Sequence, residues 1–443
     1  MSDLISLAKK GVQHCLSLGA DQVEVYAGKG NQIKLEVEKA RPVSADLLDI
    51  GGAVVRAYKG KALGLVYTTR IEELQEAVEK AYHIARASPE DPHFKSLPES
   101  GVYHRVTGLY DKELASSSVN ELVGLFMRAV ETAAAKQLTA VTGRFTRTKS
   151  EIAIFNSLGV EVQSKHTSIT GGIFGKIERD GDVAMGQAPI LGRTLKEFVP
   201  EKAGEEVAEK TSSHMGAKKV LSATMDIILD YRTALDSINS VLGFGVSGLN
   251  VALGTSFLLD KIGQAIGYSK LSVIDDPFIS RGLGSRAFDD EGAPATKFTI
   301  LENGVLKAYC TDSYTAGRLG IPNTGNASRT STSSKPTPGL TNLQIKPGDW
   351  DIDELTCDTK KGLIIEDSGL GIAGTSTNIS SMANNGFYVE NGEIQHPIKN
   401  TMVGLTVFDF FANMNGITKQ VLTEGGSSCP TIRISKVNVA GGL

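Results

Sequence analysis

Lys297-Phe298-Thr299-Ile300-Leu301-Glu302-Asn303-Gly304-Val305-Leu306-Lys307-Ala308-Tyr309 decides how the second half of the chain folds. Two apolar runs flank Glu302-Asn303-Gly304. Asn-Gly is the strongest short signal for a two-residue hairpin, because both residues tolerate positive φ. The stretch therefore predicts antiparallel strands at 297–301 and 305–309. The same signature recurs where residues 388–390 and 393–396 flank Asn391-Gly392. Near the end, Ile432, Ile434 and Val437 are interleaved with polar residues, which predicts a half-buried strand over 430–439. Short strands between Gly, Asn, Asp and Pro turns make the C-terminal half a β-rich antiparallel sheet, sandwich or barrel.

Upstream the texture differs. Residues 3–19 predict a helix, with Leu4, Ala8, Val12, Cys15 and Leu16 at helical spacing and Gly19 as a stop. Strands follow at 22–27 and around Ile33, Leu35 and Val37, with Gly28-Lys29-Gly30-Asn31 expected as the turn between them. A second pair, 52–58 and 63–68, precedes an amphipathic helix at 71–87. Ser118-Val119-Asn120-Glu121 is a capping box and opens a helix to about residue 136. Strands at 141–148, 152–155, 160–167 and 172–177 then lead to a charged helix near 200–213. A further strand is expected at 220–230 and a helix at 232–242. The fold class is α+β. Residues 1–218 form an N-terminal region of helices and antiparallel hairpins, divisible at about 100 into 1–100 and 101–218. Residues 219–443 form the β-rich C-terminal domain.

The 443 residues carry 46 Lys plus Arg against 50 Asp plus Glu, a formal charge of −4. That balance offers no general attraction to nucleic acid or to acidic membranes. No apolar run approaches a transmembrane length, and the N-terminus lacks a signal-peptide core, so a cytoplasmic protein is expected. The four cysteines, Cys15, Cys310, Cys357 and Cys429, form no C-x-x-C pair. Glycine, at 48 residues, is abundant, which points to many tight turns.

Candidate chemistry is sparse. Gly243-Phe244-Gly245-Val246-Ser247-Gly248 spells G-x-G-x-x-G, but a dinucleotide site needs a strand before it, and 233–242 reads as helix. Close backbone packing accounts for those glycines better. The seven histidines show no pair at metal-binding helical spacing, although His93 and His104 flank one loop. Asp289-Asp290-Glu291-Gly292 offers three carboxylates to a hard cation, yet it also reads as a turn before a strand. Cys429 stands in Gly-Gly-Ser-Ser-Cys-Pro with no sequence sign of a base, and there is no G-x-S-x-G elbow. Residues 331–338 form a polar loop suited to a lid or a plain connection.

An ordered series in the C-terminal half carries more. Val273-Ile274-Asp275-Asp276, Gly284-Ser285, Asp289–Pro294, Ile300–Lys307 and Thr324-Gly325-Asn326 resemble the TldD/PmbA family of zinc-dependent peptidase proteins. That family also bears the name modulator of DNA gyrase. Tyr388–Gly392, Pro430–Ile434 and the N-terminal Gly19-Ala20-Asp21 extend the likeness over nearly the whole chain. In the TldD branch a helix carries His-Glu-x-x-x-His, whose imidazoles hold a catalytic zinc while the Glu serves as base. Counted back from Asp275-Asp276, that motif falls here on Asn239-Ser240-Val241-Leu242-Gly243-Phe244. Asn239, Ser240 and Phe244 replace its chemistry, so the resemblance is to the PmbA (TldE) branch.

What the resemblance implies is a subunit with no catalytic residue and no metal of its own. It also implies a TldD-like, His-Glu-x-x-x-His-bearing partner that holds zinc, joined as a heterodimer around a cleft for peptides or unfolded chains. Self-association as a homodimer is the other assembly. Asn239, Ser240 and Phe244 become cleft residues, and Gly369–Gly374 a candidate edge for an extended peptide. The alternatives are a homo-oligomeric peptide-binding protein without hydrolase activity, and an independent hydrolase using Cys429 or a hydroxyl.

Overall fold

The computed structural model describes residues 3–329, 334–367 and 369–441. The chain is an α+β protein with antiparallel sheets, as the hairpin signals require. Its N-terminal part is one six-stranded antiparallel sheet. The strands are β1 (Gln22–Glu38), β2 (Arg41–Lys59), β3 (Ala62–Thr68), β4 (Ala140–Asn156), β5 (Glu161–Arg179) and β6 (Asp182–Gly192), in the order β3-β2-β1-β4-β5-β6. The stretches 1–100 and 101–218 contribute three strands each, joined where β1 pairs with β4 along 14 residue pairs.

Four helices cover one face. α1 (Leu4–Ser17) and α2 (Leu74–Ala87) pack on Val23, Val25, Ala27, Ala53 and Val55. A short α3 (Lys112–Ser116) precedes α4 (Val119–Ala134), and α4 with α5 (Pro200–Ser213) packs on Ile33, Leu35, Phe145 and Ile173. The alternation of β1 sends its odd residues to these helices and its even residues, Glu24 and Tyr26, to the C-terminal domain. The capping box is formed as expected, with Ser118 accepting from the backbone of Glu121 and the Glu121 carboxylate accepting from Ser118.

The expected turn at Gly28–Asn31 is absent, because β1 runs straight through it. Gly30 is there for close approach. A Cβ on it would stand 2.1 Å from the Lys149 carbonyl on β4. The true hairpin turn is Lys39-Ala40, both at positive φ, 48° and 58°. β4 and β5 are likewise single long strands, and β6 completes the sheet.

From β7 (Ala223–Leu229) onward the chain builds a 12-stranded sheet. Its main path runs Val305–Leu306, Phe298–Glu302, Val273–Asp275, Leu343–Ile345, Ser427–Gly441, β7, Lys361–Glu366, Asn385–Glu390 and Glu393–Pro397. Both Asn-Gly hairpins form, with Asn303 and Gly304 at φ 51° and 77° and Asn391 and Gly392 at 53° and 81°. Between β7 and the sheet's next strands lies α6 (Tyr231–Val246), followed by the short α7 (Gly248–Ala252). Ala234, Ile238, Val241, Leu242 and Val246 of α6 enter the largest apolar core, with Ile227, Leu229, Ile432 and Ile434. Among the described residues no helix is long and apolar enough to cross a membrane.

Candidate functional site

α6 begins at Asp230, whose carboxylate accepts from the backbone N–H of Thr233 at 2.8 Å, an N-cap that leaves the β7 strand end pointed into the helix. Opposite its buried stripe, Arg232, Asp236, Ser240 and Phe244 follow at steps of four and Asn239 stands three after Asp236, which places them along one side. Asn239 is exposed, while Ser240 and Phe244 are half-buried. The three positions singled out from sequence are therefore together, on the side of α6 away from the core.

The surroundings explain each one. Residues 369–371 lie against α6. Gly369 faces Asp236, and Gly371 is so close to Ser240 that a Cβ would stand 3.2 Å from its Oγ. The Leu370 N–H donates to Ser237 Oγ at 2.8 Å, and the Gly371 N–H donates to Ser381 Oγ at 3.3 Å. Only Ile372 of this loop pairs as a strand would, in a single bridge to Ile379. The Phe244 ring stacks on Phe257 at 6.5 Å, and Phe257 meets exposed Phe408 edge-on at 6.0 Å. Gly243 and Gly245 lie inside α6, not after a strand, and a Cβ on Gly245 would reach Leu258 and Phe257 at 2.8 Å. The G-x-G-x-x-G spelling is thus a packing device.

Sequence reasoning missed Arg232 and Asp236. Arg232 donates to both oxygens of Glu424 at 3.1 Å and to Glu206 of α5, so it ties the helix side to the N-terminal part. Burial works against its charge, and Glu424 and Glu206 outweigh that cost. The Asp236 carboxyl is held above the ordinary range by burial, then by Glu424 and Asp230. A cavity of about 430 Å³ opens beside Arg232, between Glu197, Glu206, Arg281 and Glu424. No local sequence pattern marks this cluster, because its members come from four distant segments.

The acidic triplet is also resolved. Asp289 accepts from the backbone N–H groups of Glu291, Ala293 and Ala327, the bonding expected of a turn. Glu291 points into the sheet and accepts from Arg56 Nη1 at 2.7 Å. Arg56 also holds Glu24, which receives Arg329 Nη2 at 2.7 Å. Glu24, Arg56 and Glu291 are at most 2% exposed, so four charges form a closed, buried network joining the N-terminal sheet to the C-terminal domain. Beside it, a cavity of about 350 Å³ is lined by Tyr26, His166, Arg193, Arg286 and Asp290. Burial and Arg193 push His166 down to about 4, so its imidazole is neutral.

The residues on α6 do not suit zinc. An exposed amide, a hydroxyl turned to a glycine loop and a stacked phenyl ring supply neither imidazole nor thiolate. Cys429 is fully buried in the strand Ser427–Gly441, and burial pushes its thiol up, away from the reactive thiolate. His104 rests against the Phe278 ring at 4.9 Å. Among the described residues no three His, Cys, Asp or Glu side chains are arranged to hold a metal ion. Of the lid candidate at 331–338, residues 331–333 lie outside the described residues, and Thr337-Pro338 pairs antiparallel with Ala327-Ser328.

Two sheets joined by a buried ion network, with a helix bearing the candidate positions at the start of the second, define a class of α+β protein with solved relatives. The chain belongs to the PmbA/TldD metallopeptidase family. Models of the PmbA/TldA metallopeptidase domain 1, central domain and C-terminal domain match residues 23–85, 112–214 and 222–441. The metalloprotease PmbA of Escherichia coli O157:H7 is 24% identical over 95% of this chain and 93% of its own. A metalloprotease TldD homologue of Buchnera aphidicola is 26% identical over 79% of this chain and 75% of its own. TldE from Thermococcus kodakarensis shares the fold, with a TM-score of 0.86 at 22% identity over 98% of this chain and 99% of that one. A Thermotoga maritima protein described as a candidate modulator of a DNA gyrase superposes with a TM-score of 0.87 at 23% identity, over 98% and 99%.

Proposed function

We propose that this chain is the non-metal subunit of a metallopeptidase pair, and that its α6 side forms one wall of a cleft for peptides or unfolded chains. The observation that carries the reading is the side of α6 itself. Ser240 packs against the 369–371 loop and Phe244 against Phe257, beside exposed Asn239, at the positions to which the sequence register assigns the family's motif. They offer hydrogen-bonding groups and an aromatic face, which suit holding a peptide rather than activating water. Zinc, on this reading, belongs to a partner chain bearing His-Glu-x-x-x-His, and no chemical step is assigned to the present chain.

Reconstitution tests it. The pair should cleave unfolded peptides at least ten-fold faster than the partner subunit alone, and a chelator should abolish the activity. Equal rates with and without this chain would remove its role. Peptidase activity of the isolated chain, resistant to chelators, would assign the chemistry here instead.

A further inference from the structure

Two arginines on the 350 Å³ cavity between the sheets carry charge that no carboxylate meets. Arg193 is 5% exposed, yet its side chain bonds only to neutral acceptors. Its Nε donates to the Gly282 carbonyl at 3.0 Å, Nη2 to Leu283 at 2.7 Å and Nη1 to Thr167 at 3.3 Å. Arg286 donates from Nη1 to the Ala327 carbonyl at 2.8 Å and from Nη2 to Gly325 at 3.4 Å, and its buried Nε has no partner. Among the described residues neither guanidinium forms an ion pair. Arg56, equally buried, holds two carboxylates. A buried cation without its counter-ion is costly, which makes the cavity beside it a place for an anion.

The sheet side of the cavity adds neutral donors. Ser150 pairs with His166, and Ile152 with Ser164, across β4 and β5, so all four share the face turned to the C-terminal domain. Arg193 Nη1 lies 3.2 Å from His166 Nδ1. A guanidinium only donates, so Nδ1 accepts and the neutral imidazole carries its proton on Nε2. That Nε2–H and the hydroxyls of Ser150 and Ser164 have no partner among the described residues. Against the two arginines stands one lining carboxylate, Asp290, which accepts from the Arg329 N–H. Asp275 and Asp289 lie near Arg286, but burial raises both carboxyls towards the neutral form. The cavity thus has about one positive charge in excess, which suits a monoanion. A dianion such as phosphate would bring a second charge beside Asp290. Tyr26, Ile152 and Phe288 supply an apolar wall, and the volume falls at the lower end of the range of about 300–1,000 Å³ usual for small-molecule sites.

We propose that this cavity binds a small monocarboxylate with an apolar or aromatic body, its carboxylate received by Arg286, Arg193 and the His166 Nε2–H. The inference rests on no residue of α6 and needs no partner subunit, so it stands or falls apart from the peptidase reading.

Calorimetric titration of the full chain tests it, with benzoate, hydrocinnamate and N-acetylphenylalanine as probes, each against its own amide, and inorganic phosphate as the competing anion. At least one acid should bind about ten-fold or more tightly than its amide, and phosphate no more tightly than the amides. Arg286→Gln should weaken the acid about ten-fold or more. Ser164→Leu, which fills the cavity while removing no charge and no hydrogen bond, should weaken it as much, and it keeps the proposal testable if Arg286→Gln does not fold. Circular dichroism on each variant separates lost binding from lost folding. Acids that fail to bind or bind no better than their amides, phosphate binding more tightly than every acid, or a folded Ser164→Leu chain with unchanged affinity would each overturn the proposal.

Discussion

Arg56 shows what a single residue carries in this protein. Its guanidinium lies between Glu24 and Glu291, with all three side chains at most 2% exposed. Removing one partner of a buried ion pair leaves uncompensated charge, at a cost of about 3–5 kcal/mol. Arg56→Ala should therefore lower unfolding stability by that amount in a urea titration, and Arg433→Ala, which touches an exposed Asp358, should cost less. Glu366 gives a pH-dependent counterpart. It faces Asp230 and Asp367, with Lys210, Arg232 and His214 nearby, and burial raises its carboxyl from 4.5 to about 7. A carboxyl raised on folding stabilises the protein in its neutral form. That stability is complete below about pH 4.5 and is lost as pH rises through about 7. The His214 imidazole is shifted down by burial and acts with the opposite sign, so the comparison must be made against Glu366→Gln. The variant should gain stability relative to the parent from pH 4.5 to 7 and run parallel above it. A difference that does not change with pH would contradict the assignment.

At the scale of elements, the helices and the Asn-Gly hairpins were legible because their signals are local. Ser118 and Glu121 cap a helix from three residues apart, and Asn303-Gly304 and Asn391-Gly392 adopt positive φ by composition. The first hairpin was not legible. Its turn, Lys39-Ala40, carries no turn chemistry, while Gly28-Lys29-Gly30-Asn31 looks like a turn and is strand. Those glycines answer to β4, more than a hundred residues away, and no local pattern reports such a neighbour. Two substitutions make the point measurable. Gly30→Ala drives a methyl into the Lys149 carbonyl and should destabilise by about 1–3 kcal/mol or more. Gly124→Ala, in α4 with open space around it, should instead stabilise by about 0.5–1 kcal/mol. Thermal midpoints of the two variants moving in the same direction would contradict this reading.

At the scale of the molecule, the helix that carries Asn239, Ser240 and Phe244 could be read from sequence, and their correspondence to the family's motif is part of the proposal. What packs around them could not. Arg232, Glu206 and Glu424 meet from α6, α5 and the strand Met414–Glu424, and the 369–371 loop closes over α6 from another segment. The buried network of Glu24, Arg56, Glu291 and Arg329 likewise joins the two sheets through residues up to 305 positions apart. These contacts hold the N-terminal sheet and the α6 side in one arrangement, which the proposed cleft wall requires. A cleft wall also needs an opposite wall. The most direct measurement is therefore affinity purification of the tagged full-length chain from its own cells, with every stoichiometric partner identified by mass spectrometry. The account predicts a second chain in one-to-one ratio that carries His-Glu-x-x-x-His and binds zinc. Recovery of this chain with no such partner, at a tag level that does not exceed the native amount, would contradict it.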